Sequence, residues 1–387
     1  MKIGPDRRDV VIVGARCAGA ATALLLARRG LNVLVLERGR RGTDTLSTHA
    51  LMRGGAVLLR RWGLLERIAA AGTPPIRRTV FHYGDETVTV SIKPAAGVDG
   101  LYAPRRTLLD AMLIDAAVAA GAEVRFGVDV TGLERDPTGR VIGVAGRDRD
   151  GDLVRAHGWL TVGADGARSL VARHAEASTL RTGVGSGAIV YGYWDGLEVP
   201  GYEWFYRSGS TAGMIPTNDG AVCVFAGTST HRFRQELAGD VRAGYLRLLK
   251  EATGADARLA TTSPPGRLRA YPGRPSFVRR PWGPGWALVG DAGQFLDPLS
   301  THGMTDALRD AQLLSLAVAA VLRGEDEPAA FAAYQARRDH IAGPIFAAVD
   351  QLAAYRWTPD GARRLLLELS SAMSEEVDAL SALRADP

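Results

Sequence analysis

Residues 9–38 constrain this chain more than any other stretch. They read DVVIV, then GARCAGAATALLLARRG, then LNVLVLER. An apolar strand runs into a glycine-bearing turn, a helix whose small residues face a sheet, and a second apolar strand that ends on an acid. That order is a βαβ unit of the dinucleotide-binding kind, and it requires a parallel sheet. Gly14 and Gly19 occupy the first and third glycine places, with Ala18 between them. Ala23, Leu26 and Gly30 keep the helix close to the sheet. Glu37 lies 23 residues after Gly14, where a carboxylate accepts from ribose hydroxyls. Arg16 stands where the second glycine is expected. Without that glycine the side chain must either turn away from the pyrophosphate or lay its guanidinium on a phosphate, and we favour the second.

The chain is 387 residues long, enough for two packed lobes. Its net charge of +5 comes from arginine, with lysine only at positions 2, 93 and 250. No basic run is interleaved with aromatics, so nucleic acid is not an expected partner. Cys17 and Cys223 form neither a disulfide framework nor a metal spacing, and no metal site is expected. The opening MKIGPDRRDV lacks the apolar core of a signal peptide, which points to a cytoplasmic protein. No run approaches 18 uninterrupted apolar residues, so no membrane span is expected.

A second anchor is the stretch 285–311, GWALVGDAGQFLDPLSTHGMTDALRDA. An apolar strand ends at Gly290-Asp291, a Pro-bearing loop follows, and a helix opens at His302-Gly303-Met304. A carboxylate at a strand's C-terminal end can hold a sugar-like hydroxyl. The first free amides of the helix, at its positive end, suit an anion. This stretch resembles the GD motif of FAD-dependent monooxygenases of the para-hydroxybenzoate hydroxylase type, relatives of flavin halogenases and geranylgeranyl reductases. The resemblance gives Asp291 the ribityl chain and sets Gly303 and Met304 against the pyrimidine edge. Two further motifs are similar and arrive in family order. Arg106, in RTLLDAML, matches an RxxLDxxL pattern whose Arg lies along the FAD diphosphate. Gly163-Ala164-Asp165-Gly166 matches the DG motif, which contributes to FAD and NAD(P)H binding. Asp165 is also placed as N-cap of the next helix. For Arg38, with Arg40 and Arg41, two readings stay open: contact with the 2′-phosphate of NADPH, or a solvated charge run.

The resemblance implies an α/β fold, with a Rossmann-like FAD-binding lobe (residues 1–78, 101–183 and 276–345), an inserted antiparallel-sheet substrate lobe (79–100 and 184–275) and a helical C-terminus (346–387). Alternating residues 79–83 and 87–92 around Gly84-Asp85 read as a hairpin. Helices are expected over 303–323, 327–341, 343–355 and 360–383. Their Ala/Leu stripes cover the FAD lobe or form a dimer face, leaving a monomer or a homodimer. In the related enzymes the loop 43–49 passes beside the flavin ring, which makes Ser47, Thr48, His49 and Arg53 candidates; an ordinary capping or surface role for His49 is the alternative. Trp204 and Tyr206, two apart on one strand, project to one face, as do Tyr191 and Tyr193. A pocket for a flat substrate and plain core packing both fit them. His82 and Pro216 complete the candidate substrate contacts.

The implied activity is an FAD-dependent, NADPH- or NADH-consuming monooxygenase that hydroxylates an aromatic or polyketide-like small molecule with O2. His49 or His82 would act as acid or base, and His302 and Pro298 would lie beside the ring where O2 reacts. The alternative is a reductase of carbon–carbon double bonds or a halogenase-like enzyme. Gln294, Asp297 and Pro298 are nearer the halogenase spelling GDxxxxxDP, but the halogenase WxWxIP is missing and lysine is scarce.

Overall fold

The computed structural model describes residues 7–383. The first six residues, with most of the leader reading, and the last four lie outside that range. Five strands run parallel in the order Trp286–Leu288, Leu153–Gly163, Arg7–Val13, Val33–Glu37 and Glu123–Phe126. An antiparallel flap, Asp129–Arg135 with Val141–Arg147, pairs to the outer length of Leu153–Gly163. The βαβ unit forms as expected, its helix spanning Cys17–Arg28. Val10, Val11 and Ile12 are wholly buried, each burial being worth about 1.5–3 kcal/mol. The helix is buried along nearly its whole length because the sheet covers one side and the helix Gly303–Leu322 the other.

Two glycines are obligatory for that packing. Gly14 has φ +101°, and a Cβ there would sit 2.5 Å from the Ala164 carbonyl oxygen; at Gly19 it would meet the Gly14 carbonyl at 1.8 Å.

A second sheet of seven strands has the order Arg269–Tyr271, Gly187–Trp194, Val222–Ser229, Ser210–Pro216, Tyr202–Arg207, Arg78–Tyr83 and Glu86–Ser91. All pairs are antiparallel except Tyr202–Arg207 with Arg78–Tyr83, and the hairpin at Gly84-Asp85 is present. Alternation divides its faces. Tyr191, Trp204, Tyr206 and Phe225 pack with Leu296, Ile345, Leu352 and Trp357 on the inner side. Phe205, Met214 and Val224 pack with Tyr245 and Leu248 of the helix Val241–Thr253 on the outer side.

The C-terminal helices are Gly303–Leu322, Glu327–Ala353 and Pro359–Ser381, the last capped by the Thr358 side chain on Gly361 N–H. The expected break near residue 342 is absent. Glu327–Ala353 is continuous through Pro344, since buried Ile341, Ala342, Ile345 and Phe346 on both sides of the proline hold the helix against the core; one lost main-chain hydrogen bond does not outweigh that burial.

Asp297 joins the two sheets. Fully buried, its carboxylate accepts from Gly187 N–H at 2.7 Å, at the start of the strand Gly187–Trp194 of the second sheet, and from Leu299 N–H at 3.0 Å. Burial pushes its pKa up to about 6, against the pull of those two amides. Asp297→Ala leaves two buried amides without acceptors and is expected to cost about 2–4 kcal/mol in denaturant unfolding. A loss below about 0.5 kcal/mol, the ordinary range of surface changes, would show that this bridge does not hold the sheets together.

Candidate functional site

Three adjacent parallel strands end at Val13, Gly163 and Leu288, and the residues that follow each of them border one cavity of about 370 Å³. Arg16, Cys17 and Ala18 follow the first, Ala164, Gly166 and Ala167 the second, Val289 and Asp291 the third. The second sheet adds Ile189, Tyr191 and Tyr271, and the loop 45–50 and Phe295, Leu296 and Pro298 close the rest. The size and mainly apolar lining are those of a small-molecule site.

Two helix starts open on this cavity, those of Cys17–Arg28 and Gly303–Leu322. Neither has a side-chain cap, and Cys17, Ala18, Gly303 and Met304 all border the space. Uncapped amides at two positive helix ends form a cradle for a ligand carrying phosphate and carbonyl oxygens. Asp291 lies between them. Its half-buried carboxylate has no hydrogen bond among the described residues. Burial, then the Asp306 and Asp310 carboxylates, push its pKa up to about 7 against the opposing Arg106. A carboxylate so placed suits a hydroxyl donor. These features fit an extended dinucleotide with a polyol segment. Arg106, paired with Asp110 at 3.0 Å, borders the same space.

Glu37 stands at the adjoining cleft with Arg40, Thr43 and Asp110. Its two oxygens accept from Ala15 N–H at 2.8 Å and Gly39 N–H at 2.7 Å, each keeping a lone pair for a further donor. Arg16 borders both the cleft and the cavity. Its guanidinium donates to the Thr43 carbonyl and hydroxyl and lies 3.3 Å from Asp110, so the side chain crosses the junction of the two spaces and is held there by protein groups.

At the other end, His302 is fully buried, with Nε2 2.7 Å from Glu376 Oε2. Burial alone would depress its pKa, but the Glu376 and Asp306 carboxylates prevail and raise it. Arg309, also fully buried, contacts Asp306 at 2.5 Å, Asp310 at 2.9 Å and Glu376 at 3.1 Å. His302, Asp306 and Glu376 are close enough to hold a cation, but the guanidinium already supplies the positive charge between the two carboxylates.

His49 is buried and holds the left-handed backbone conformation, φ +68°. Its Nε2 bonds to the Tyr193 hydroxyl, and the rings stack with centroids 5.6 Å apart. Burial, and then Arg105, Arg106 and Arg269, hold its pKa well below 6.5, so the imidazole is neutral. Ser47 N–H donates to the Tyr191 hydroxyl at 3.0 Å, which fixes the loop over the second sheet.

Other sequence candidates lie elsewhere. Arg38 is exposed and borders neither space. Asp165 accepts from Leu170 N–H at 2.6 Å and Ser169 Oγ at 2.5 Å, but the N-cap is Ser169. None of the four substrate candidates borders the cavity. His82 stacks on Phe205 at 4.3 Å on the outer face. Trp204 packs on Tyr202 and Phe225, and Tyr206 on Tyr83 and Trp357, as core. Pro216 borders a surface groove with Pro74 and Leu197. Trp204 and Tyr206 stand in the core because the C-terminal helices cover that part of the inner face. Tyr191 takes the place at the cavity, with Tyr271 and Phe295, which sequence reasoning passed over. Glu376 was missed as well.

Across residues 7–348 the chain matches the family described as FAD binding domain. Protein FixC of Salmonella typhimurium strain LT2 is 32% identical over 237 residues, 58% of this chain and 50% of FixC. The chain thus spans about half the length of the FixC relatives it matches. Menaquinone reductase of Mycolicibacterium smegmatis is 27% identical over 332 residues, 79% of this chain and 75% of that one. The solved structure of the myxobacterial chondrochloren halogenase CndH shares the fold, with a TM-score of 0.79 at 23% identity over 98% of this chain and 97% of that one.

The raised pKa of Asp291 has a stability consequence in the cofactor-free protein. The unfolded carboxyl loses its proton near 3.8 and the folded one near 7, so the folded state binds more protons between these values and stability falls as pH rises through that window. At about 1.4 kcal/mol per pKa unit, reduced for partial exposure, the cost at pH 8 is on the order of 2–4 kcal/mol. Asp291→Asn should therefore unfold at higher denaturant than the parent at pH 8 and match it at pH 4. Equal midpoints at both pH values would show that Asp291 is not strained.

Proposed function

The chain belongs to the FAD-binding family, and on that premise we propose that it is a monooxygenase using NAD(P)H and O2 to hydroxylate a flat aromatic or polyketide-like molecule. The observation that carries this reading is the single cavity in which two uncapped helix starts and Asp291 meet an aromatic wall and a neutral buried imidazole. When bound, FAD would take electrons from NAD(P)H and deliver them to O2.

Asp291 would accept from the ribityl hydroxyls, Arg106 and Arg16 would lie along the diphosphate, and Glu37 would hold the ribose. The Gly303 and Met304 amides, with His302 at the helix start, would stabilise negative charge on the reduced ring. Ile189, Tyr191, Tyr271, Phe295 and Leu296 would exclude water and sandwich the substrate. His49, with Nδ1 buried and unpartnered among the described residues and Nε2 fixed by Tyr193, would take a proton from the substrate. The motif Asp165-Gly166 would order the segment that meets NAD(P)H.

A second reading, reduction of a carbon–carbon double bond, is supported by a relative named as a reductase, the menaquinone reductase. Halogenation has less support: Lys93 and Lys250 are exposed and border no part of the cavity.

A screen of small aromatics for stimulated NAD(P)H oxidation supplies the substrate, and turnover under labelled O2 then decides. One labelled oxygen in the product supports hydroxylation; an unlabelled product two hydrogens richer than substrate replaces it with the reductase reading. His49→Gln should lower turnover by about 10²–10⁴ with FAD retained. Because His49 is neutral well below pH 6.5, the parent should show no acid limb of activity near 6.5. A limb there that His49→Gln abolishes would refute the neutral-base assignment.

A further inference from the structure

Glu376 lies on the last helix, Pro359–Ser381, 74 residues beyond His302, yet it is fully buried against the start of the helix Gly303–Leu322. One oxygen meets His302 Nε2 at 2.7 Å and the other meets Arg309 at 3.1 Å. Gly54, on the helix Arg53–Arg61, leaves room for the carboxylate: a Cβ there would come within 3.1 Å of Glu376 Oε2.

Charge balance within this cluster constrains His302. Three buried carboxylates, Asp306, Asp310 and Glu376, are in direct contact with one guanidinium, that of Arg309. Arg338, also buried, turns to Asp339 and the Arg279 carbonyl. Arg53, half-buried at the start of the helix that carries Gly54, makes no ion pair among the described residues. The remaining cation available in direct contact is an imidazolium at His302. With Nε2–H given to Glu376, that charge requires a proton on Nδ1 as well, and Nδ1 has no acceptor among the described residues.

We propose that Glu376 is a positioning residue for the redox centre: it fixes the ring, tautomer and charge of His302, so that a positive charge stands at the flavin end of the cavity beside the Gly303 and Met304 amides. The charge adds to the helix's positive end and favours the anionic reduced flavin. The last helix thereby sets the reduction potential of a centre that it does not touch. This rests on the FAD reading above.

The test compares the midpoint potential of bound FAD in the parent, Glu376→Gln, His302→Gln and the double variant between pH 6 and pH 9. Glu376→Gln keeps the shape and removes the charge. The potential should fall at pH 7 in both single variants, and the double variant should fall no further than the larger single effect. An unchanged potential in Glu376→Gln with FAD fully bound, or additive shifts, would overturn the proposal. Nitrogen-15 histidine spectra of the parent without cofactor give an independent arm, with the His302 signal identified by its loss in His302→Gln. Two protonated ring nitrogens at pH 7 support the tie; a neutral ring at pH 7 refutes it, even where Glu376→Gln fails to fold. A parent protein that retains no FAD refutes the flavin reading itself, and the spectra still decide the Glu376 contact.

Discussion

Arg309 is the residue on which the site's geometry depends. Its guanidinium has no exposure and holds two carboxylates of its own helix, Asp306 and Asp310, and one from the last helix, Glu376. Asp310 in turn accepts from Gly290 N–H at 3.0 Å, in the turn that carries Asp291. One buried cation thus links the helix start, the strand end and the C-terminal helix. Such a cluster adds little net stability, because desolvation offsets most of the attraction, but removing one member leaves the others uncompensated at about 3–5 kcal/mol. These elements therefore keep their relative positions or come apart together.

What the cluster holds is a place where several weak preferences for negative charge coincide. The parallel sheet brings the ends of three neighbouring strands to one edge, and each βα turn releases its next residues into the same space. Two uncapped helix starts contribute partial positive charge there. Asp291 alone would be ill placed there: burial first, and then the Asp306 and Asp310 carboxylates, raise its pKa to about 7. A ligand that donates a hydroxyl to this carboxylate relieves that cost.

The sequence exposed the parts of this arrangement that are local. Residues 9–38 and 285–311 carry their chemistry at short spacings, and the structure places Gly14, Gly19, Glu37, Arg106, Asp291, Gly303 and Met304 around the two adjoining spaces or in the turns that shape them. The substrate side was less legible, for a geometric reason. Strand alternation says which residues share a face, and Trp204, Tyr206 and Tyr191 do share one. It does not say which part of that face the last two helices cover. They take Trp204 and Tyr206 into the core and leave Tyr191 at the cavity. Glu376 was illegible because its partners are contacts of the folded chain, 67 and 74 residues away. On its own helix it reads as one more charged residue among solvated ones.

Two of the seven non-glycine residues with positive φ among the described residues lie at the cavity. His49 at φ +68° and Thr301 at φ +52° are non-glycine residues in the left-handed region, and both border the cavity. For a β-branched residue such as Thr301 this conformation is a true outlier, and each position costs on the order of 1–3 kcal/mol. Glycine would remove the cost at either site, and contacts around each residue hold the conformation. At His49 the ring is held by Tyr193 and the backbone N–H by Ser47 Oγ at 3.1 Å. At Thr301 the flanking His302 N–H is fixed by Ser300 Oγ at 3.1 Å, and Asp297 caps the turn just before. Both strained residues therefore sit between anchored neighbours at the border of one cavity, where the backbone turns sharply to bring loop and helix start to the same space.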